Sequence, residues 1–298
     1  MRRLTVLLIL ALAFAGAGMA ALTAWPVGPA ERGVFPEGDV ARGAYLARMS
    51  GCIACHTATE QGGKPLAGGL ALRTDFGTFY SPNLTTDKET GIGSWTVEEF
   101  ATAVRKGISP SGDSYYPAFP YPFYSKLSDR DIADLWAAFK TVPPVSQPSK
   151  PQEMTFPYNI RAGLKLWRAA FLDTSPFSPD DEKGRAWNRG KFIVEGPAHC
   201  GACHTPRNFA GARQAELELH GADGLPDGGK APPITSVELA EKGWTINNLK
   251  YALRTGVLPD GDAFGGAMGE VVRDGTSFLS DDDLTAIATY LLDRDQSR

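Results

Sequence analysis

The chain has 298 residues, 43% of them hydrophobic and 21% charged. That length suits two domains of ordinary size, and that composition argues against disorder. Thirty Lys and Arg stand against 34 Asp and Glu, a net charge of −4, so no basic excess exists to neutralise phosphates and nucleic acid is not an expected partner.

The N-terminus opens with Met1-Arg2-Arg3, and the 22 residues from Leu4 to Trp25 carry no charge. About 20 apolar residues span a bilayer, so residues 1–25 read as a membrane anchor, with Trp25-Pro26 as interfacial stop. The same run holds small residues at A-x-A spacing, Ala13/Ala15 and Ala15/Ala17, which fits a cleaved signal peptide instead. Either reading places the rest of the chain outside the cytoplasm.

A helix over Gly38–Arg48 leads into Cys52-Ile53-Ala54-Cys55-His56. Val97–Lys106 shows apolar spacing of three and four, and Ser128-Asp129-Arg130-Asp131 caps a helix through Lys140. Residues 38–142 are therefore expected to form a first domain. Residues 143–182 form a linker. Its start, Pro143 to Pro151, is too rich in proline for a helix and favours an extended spacer. Asn159 to Leu172 reads as a bridging helix with Ile160, Leu164, Trp167 and Phe171 on one face. It either packs on the domains or lies, as a basic amphipathic helix, on a membrane or a partner.

The remainder, 183–298, repeats the first domain. Cys200-Gly201-Ala202-Cys203-His204 matches the first motif at an offset of 148. Trp244-Thr245, Arg254, Gly256, Pro259 and Gly261-Asp262 match Trp95-Thr96, Arg105, Gly107, Pro110 and Gly112-Asp113 at 149, and Leu279-Ser280-Asp281 matches Leu127-Ser128-Asp129 at 152. Helices are expected over Lys183–Val194, over Ile246–Thr255 and from the Ser280 cap through Leu292. No run alternates with period two, so the expected class is all-α, with two tandem domains of one fold.

The four cysteines fall in two pairs, too few and too close for a disulfide scaffold. In C-x-x-C-H, two thiols on one helical turn add to the two vinyl groups of one haem, and the next histidine faces the iron. Cys52, Cys55, Cys200 and Cys203 are thus the expected covalent haem attachments, and His56 and His204 the proximal iron ligands, giving two covalently bound haem c groups. Zinc is disfavoured by the 144 residues between Cys55 and Cys200, since zinc half-sites are commonly about 12–20 residues apart. A redox dithiol would need a βαβ context.

The chain resembles the membrane-anchored dihaem or multihaem cytochrome c subunits of bacterial periplasmic dehydrogenases, over nearly all of residues 38–298. The resemblance rests on Gly51 to Thr57, Phe76 to Asp87, Gly91 to Trp95, Tyr116 to Tyr121 and Leu279 to Tyr290. It implies two cytochrome c-like domains on the periplasmic side of the inner membrane, or free in the periplasm. They would take electrons from a dehydrogenase catalytic subunit and pass them to quinone, a soluble cytochrome or a terminal oxidase. The third haem domain typical of the alcohol dehydrogenase subunits is missing, which leaves the donor open. The alternative is a dihaem enzyme such as a thiosulfate dehydrogenase or a peroxidase.

Met268, the only methionine of the second domain, is the expected sixth iron ligand there, in a glycine-rich loop before the last helix. Subtracting 149 lands on Phe119, which has no lone pair. The first haem is therefore expected to be five-coordinate or to use another ligand. Met49 stands on the proximal side, Met154 would have to fold back, and Tyr115, Tyr116, Tyr121 and Lys126 remain open. Pro206 is expected near the second histidine, His199 and His220 at the surface, and Trp95 and Trp244 in the cores.

Overall fold

The computed structural model describes residues 2–24 and 33–294. Helix α1 runs Arg2–Ala24. Trp25-Pro26 lies outside the described residues. Taken over the described residues alone, no helix is long and apolar enough to cross a membrane; the side chains of Leu8 and Leu12 within α1 are outside that set.

The first half holds α2 (Val40–Met49), α3 (Cys52–Cys55), α4 (Val97–Lys106), α5 (Tyr121–Tyr124) and α6 (Asp129–Phe139). The cap expected at Ser128 forms, and Asp39 and Thr96 cap two further helices. The side chains of Asp39, Thr96 and Ser128 accept the backbone N–H of Arg42, Glu99 and Asp131, which satisfies otherwise orphaned donors. Helix α4 stops at Gly107, left-handed at φ 61, a conformation that costs glycine little.

The second half repeats the plan with α8 (Arg185–Glu195), α9 (Gly201–His204), α10 (Ser236–Glu241), α11 (Ile246–Thr255), α12 (Gly266–Asp274) and α13 (Asp281–Leu292). In each half the first and last helices, α2 with α6 and α8 with α13, cross in close contact. Glycine makes the crossing possible. A methyl group on Gly43 would stand 1.8 Å from the Asp134 carbonyl oxygen, and one on Gly190 would stand 2.0 Å from that of Ala286. One buried apolar cluster runs from Leu46 and Phe100 in the first half to Ile193 and Tyr290 in the second.

The chain is not all-α. Strands β1 (Ala71–Thr74), β2 (Gly77–Tyr80) and β3 (Glu153–Met154) form a small antiparallel sheet, and β4 (Ala222–Leu225) with β5 (Gly229–Ala231) a second. Four residues or fewer per strand are too short to show a period of two. The pairs β1–β2 and β4–β5 arise where the chain, leaving each attachment turn, doubles back.

The proline-rich stretch is extended, as expected, but it is no free spacer. Asn83 Nδ2 donates to the Val145 carbonyl at 2.8 Å, Thr86 Oγ1 to that of Val142 at 2.6 Å, and the Val145 and Gln147 N–H groups donate to Thr85 and Thr90 hydroxyls. It is stitched onto the 83–90 loop, and β3 continues that seam by pairing Met154 with Gly77.

Beyond it, α7 (Gly163–Phe171) is shorter than expected, and of its anticipated apolar face only Leu164 is buried; Ile160 and Phe171 are exposed. The segment does bridge. Arg161 Nη2 donates to the Ser114 carbonyl in the first half, and Trp167 Nε1 donates to that of Ala210 in the second, at 2.9 Å.

Candidate haem-attachment sites

Each attachment turn begins with a left-handed residue, Gly51 at φ 66 and His199 at φ 41, and places two cysteines on one helical turn, in α3 and at the head of α9. All four thiols are free. Burial raises Cys52 and Cys200 to about 12. Cys55 opens to solvent on one side, yet burial of the rest and the neighbouring Cys203 raise it to about 11. Burial also moves Cys203 upward. These thiols stay protonated, and a protonated thiol keeps the S–H that addition across a vinyl group consumes.

The histidines are held alike. His56 Nδ1 donates to the Pro82 carbonyl at 2.8 Å, and His204 Nδ1 to the Pro232 carbonyl at 2.7 Å. A carbonyl only accepts, so Nδ1 carries the proton and Nε2 keeps its lone pair for a metal. Burial lowers His56 to about 4 and lowers His204 as well, so both rings stay neutral near pH 7. The donor set, two thiols and one oriented neutral imidazole per turn, fits a covalent haem.

Further devices come in pairs. Thr57 Oγ1 accepts the Leu66 N–H and Thr205 Oγ1 that of Leu219, each at 3.1 Å. Leu66 and Leu219 are buried and left-handed, at φ 59 and 67, a strain that persists only where the surroundings dictate it. Two backbone bonds close each loop: Gly68 N to His56 O with Leu84 N to Leu66 O, and Gly221 N to His204 O with Ile234 N to Leu219 O.

Met268 does not sit in a loop. It lies in the first turn of α12, partly buried against the core. Phe119 is likewise partly buried, among Tyr115, Tyr121 and Tyr124 at ring distances of 5.7–6.2 Å. Tyr116 donates its hydroxyl to the Tyr158 carbonyl, and Tyr121 packs on Gly107. Met49 is in the core, and Met154 does fold back, onto the strand that runs into Pro82.

Other expectations shift. The Pro206 carbonyl accepts the Gln214 N–H, and Pro232 serves the histidine. His199 is not a surface residue; it is wedged against Phe123 and Tyr124 at ring distances of 6.0 and 5.8 Å. His220 is exposed, and Trp95 and Trp244 pack on the core. Sequence reading missed Pro82 and Pro232, and their repetition at an offset of 150 was the available signal.

A helical unit that mounts C-x-x-C-H beneath a proline carbonyl, closed by crossing first and last helices, defines a c-type cytochrome. The profile of the cytochrome c family matches residues 40–139. The gluconate 2-dehydrogenase cytochrome c subunit of Pantoea cypripedii is 42% identical over 262 residues, 85% of this chain and 58% of that one. A dihaem cytochrome c-type protein of Cereibacter sphaeroides is 39% identical over 262 residues, 85% of both chains. The fructose dehydrogenase cytochrome subunit of Gluconobacter japonicus is 41% identical over 256 residues, 85% of this chain and 52% of that one. The chain therefore spans little more than half of the two dehydrogenase subunits. It belongs to the cytochrome c family, whose members carry covalently bound haem c and transfer electrons. The gluconate and fructose dehydrogenase relatives are named as cytochrome subunits of those enzymes.

Proposed function

We propose that the chain is a dihaem cytochrome c subunit. It takes electrons from the catalytic subunit of a periplasmic dehydrogenase and passes them to quinone, a soluble cytochrome or a terminal oxidase, held at the periplasmic side of the inner membrane by α1. The observation that carries this is the repetition of the whole attachment apparatus: thiol pair, imidazole, proline carbonyl, threonine and left-handed leucine. Bound haem c supplies an iron that gains or loses one electron. Cys52, Cys55, Cys200 and Cys203 fix the macrocycles, Pro82 and Pro232 hold the imidazoles of His56 and His204 in the ligating tautomer, and Met268 supplies a thioether to the second iron.

The relatives serve gluconate, fructose and alcohol dehydrogenases, which supports a dehydrogenase partner without selecting its substrate. The 23 residues of α1, at about 1.5 Å each, reach about 35 Å, so in length alone α1 matches a hydrocarbon core of about 30 Å. Denatured mass should exceed the polypeptide by two haems, and replacing Cys200 and Cys203 with Ala should remove one. A wild-type increment of one haem refutes the dihaem reading. Co-purification from detergent extracts identifies the donor, and mature protein beginning between Gly16 and Ala21 would refute the anchor.

A further inference from the structure

The two halves meet through equivalent residues. Matching the C-x-x-C-H motifs sets Gly51 on His199, Cys55 on Cys203 and Arg48 on Gly196; the later offset of 152 sets Lys126 on Phe278. These matched positions touch one another. A methyl group on Gly51 would stand 3.5 Å from His199 Cε1. The Arg48 guanidinium lies 4.0 Å from the Phe278 ring centre, and the mirrored pair sets Gly196 beside Lys126, where a methyl group would be 3.6 Å from Cβ. Helix α12 rests on α3, while α5 delivers Phe123 to Gly201 at the head of α9, 3.5 Å from where a methyl group would be. Contact of i with j and of j with i marks a two-fold interface, here built inside one chain. The two attachment turns, which Gly51 and His199 begin and which carry Cys55 and Cys203, thus lie on either side of it.

His199 breaks the symmetry at the centre. Its counterpart, Gly51, has no side chain, and the imidazole fills the space between Gly51 and the Tyr124 ring, which it meets edge-on at 83°. Nδ1 donates to the Pro197 carbonyl at 2.8 Å, and Tyr124 in turn donates its hydroxyl to the Ser50 carbonyl at 2.5 Å. His199 holds a left-handed φ that glycine would adopt without strain. The ring is kept at that position against a local cost.

We propose that His199, wedged between Gly51 and Tyr124, is the spacer that fixes the gap between the two haem-attachment turns, making the seam at Cys55 and Cys203 the place where electrons pass between the haems. This rests on the dihaem reading. The exchange is one electron from a ferrous to a ferric centre; no bond forms or breaks and no proton moves. His199 is a positioning residue and takes no part in the chemistry.

The test uses the holoprotein, with two haems verified by mass in every variant. A photogenerated reductant delivers electrons rapidly, and their redistribution between the haems is followed optically. Wild type should redistribute at a first-order rate independent of protein concentration. His199→Gly preserves the backbone conformation and removes the spacer; the rate should fall several-fold with both midpoint potentials unchanged. His199→Phe should restore most of it. Phe278→Ala, at the rim, should slow the rate less and keeps the test decisive if His199→Gly fails to take up two haems. A merely structural role would lower thermal stability and leave the rate alone. Unchanged redistribution in the spacer variant, or in the rim variant when the former does not assemble, overturns the proposal. So does a wild-type rate that rises with protein concentration. A wild-type mass of one haem refutes the dihaem reading, a separately visible outcome.

Discussion

Between the attachment turn and the hairpin before the last helices, the halves share many of their contacts. Ile108 bridges Ser114 as Val257 bridges Ala263, and Tyr115 N donates to Gly107 O as Phe264 N does to Gly256 O, both at 2.8 Å. Then they part. The first half makes the four-residue α5, the second the nine-residue α12, and the offset grows from 149 to 152 before Leu279. Each offset in that interval carries Met268 onto residue 119, 118, 117 or 116, which are Phe, Ala, Pro and Tyr. None is a thioether, and the Tyr116 hydroxyl is already given to Tyr158. The duplicated scaffold keeps its histidine surroundings unchanged and varies the segment before the last helix, so on the dihaem reading the two haems would differ.

The largest expected effect follows from that divergence. Wild type should show one methionine–iron charge-transfer band in the far red, not two, and Met268→Ala should abolish it. Phe119→Met should add a second band and raise the potential of the His56 haem, because a thioether ligand favours the reduced iron. Two bands in wild type, or two haems of equal high potential, would show that the first half has found a thioether elsewhere. Met154 would then be the first to replace, since it does return to the first half.

Gly43 and Gly190 test whether the halves fold as one. A β-carbon at either meets a carbonyl oxygen at about half the normal contact distance, so Gly43→Ala and Gly190→Ala should each cost about 3 kcal/mol. The apolar core is continuous across the halves, so each variant should lower a single thermal transition. Two separate transitions, each sensitive to one glycine only, would show the halves to be independent.

The parts of this molecule legible from sequence are those written in side chains over short spans. Ser128 and Ser280 announce helix starts, and α4 and α11 fall where apolar spacing sets them. Two cysteines and a histidine at fixed spacing name their chemistry. What stayed hidden is backbone or distant. The carbonyls of Pro82 and Pro232 are acceptors any residue possesses. The left-handed Leu66 and Leu219 follow no residue preference. His199 acquires its surroundings from Phe123, Tyr124 and Gly51 in the other half, and the proline stretch acquires its partners from a loop some 60 residues earlier.

A third comparison concerns ion pairs at the helix crossings. Arg189 binds Asp283 at 2.8 Å as Arg42 binds Asp131, but Arg42 also holds Asp134, whose side chain is fully buried. Arg42→Ala leaves that carboxylate uncompensated by its main partner and should cost about 3 kcal/mol; Arg189→Ala, beside a less buried acid, about 2 kcal/mol. Burial raises the Asp134 carboxyl, but the Asp39 N–H, Arg42 and Arg130 outweigh it and hold it below the usual range. A folded value below the unfolded one means stability present above the ordinary carboxylate range and lost as pH falls through the folded value. Melting temperature should therefore drop on acidification, and Arg42→Ala should flatten that drop. An unchanged acid profile in the variant would remove Asp134 as its source.

The smallest effect lies in a cap. Helices α4 and α11 start with the same reciprocal box. The Glu99 N–H donates to Thr96 Oγ1 at 3.2 Å and the Thr96 N–H to Glu99 Oε2 at 2.8 Å; Asn248 and Thr245 do the same at 3.3 and 2.7 Å. Thr96→Ala and Thr245→Ala should each cost about 1 kcal/mol. The boxes differ in charge alone, since the first turn of α4 carries Glu98 and Glu99 and that of α11 carries no acid. A carboxylate in the first turn interacts with the positive helix end, so Asn248→Glu should stabilise by about 0.5 kcal/mol and Glu99→Asn destabilise by a similar amount. Both changes should shrink in high salt, because the added term is a screened surface charge. A gain in Asn248→Glu that survives high salt would have to come from geometry and not from the helix dipole.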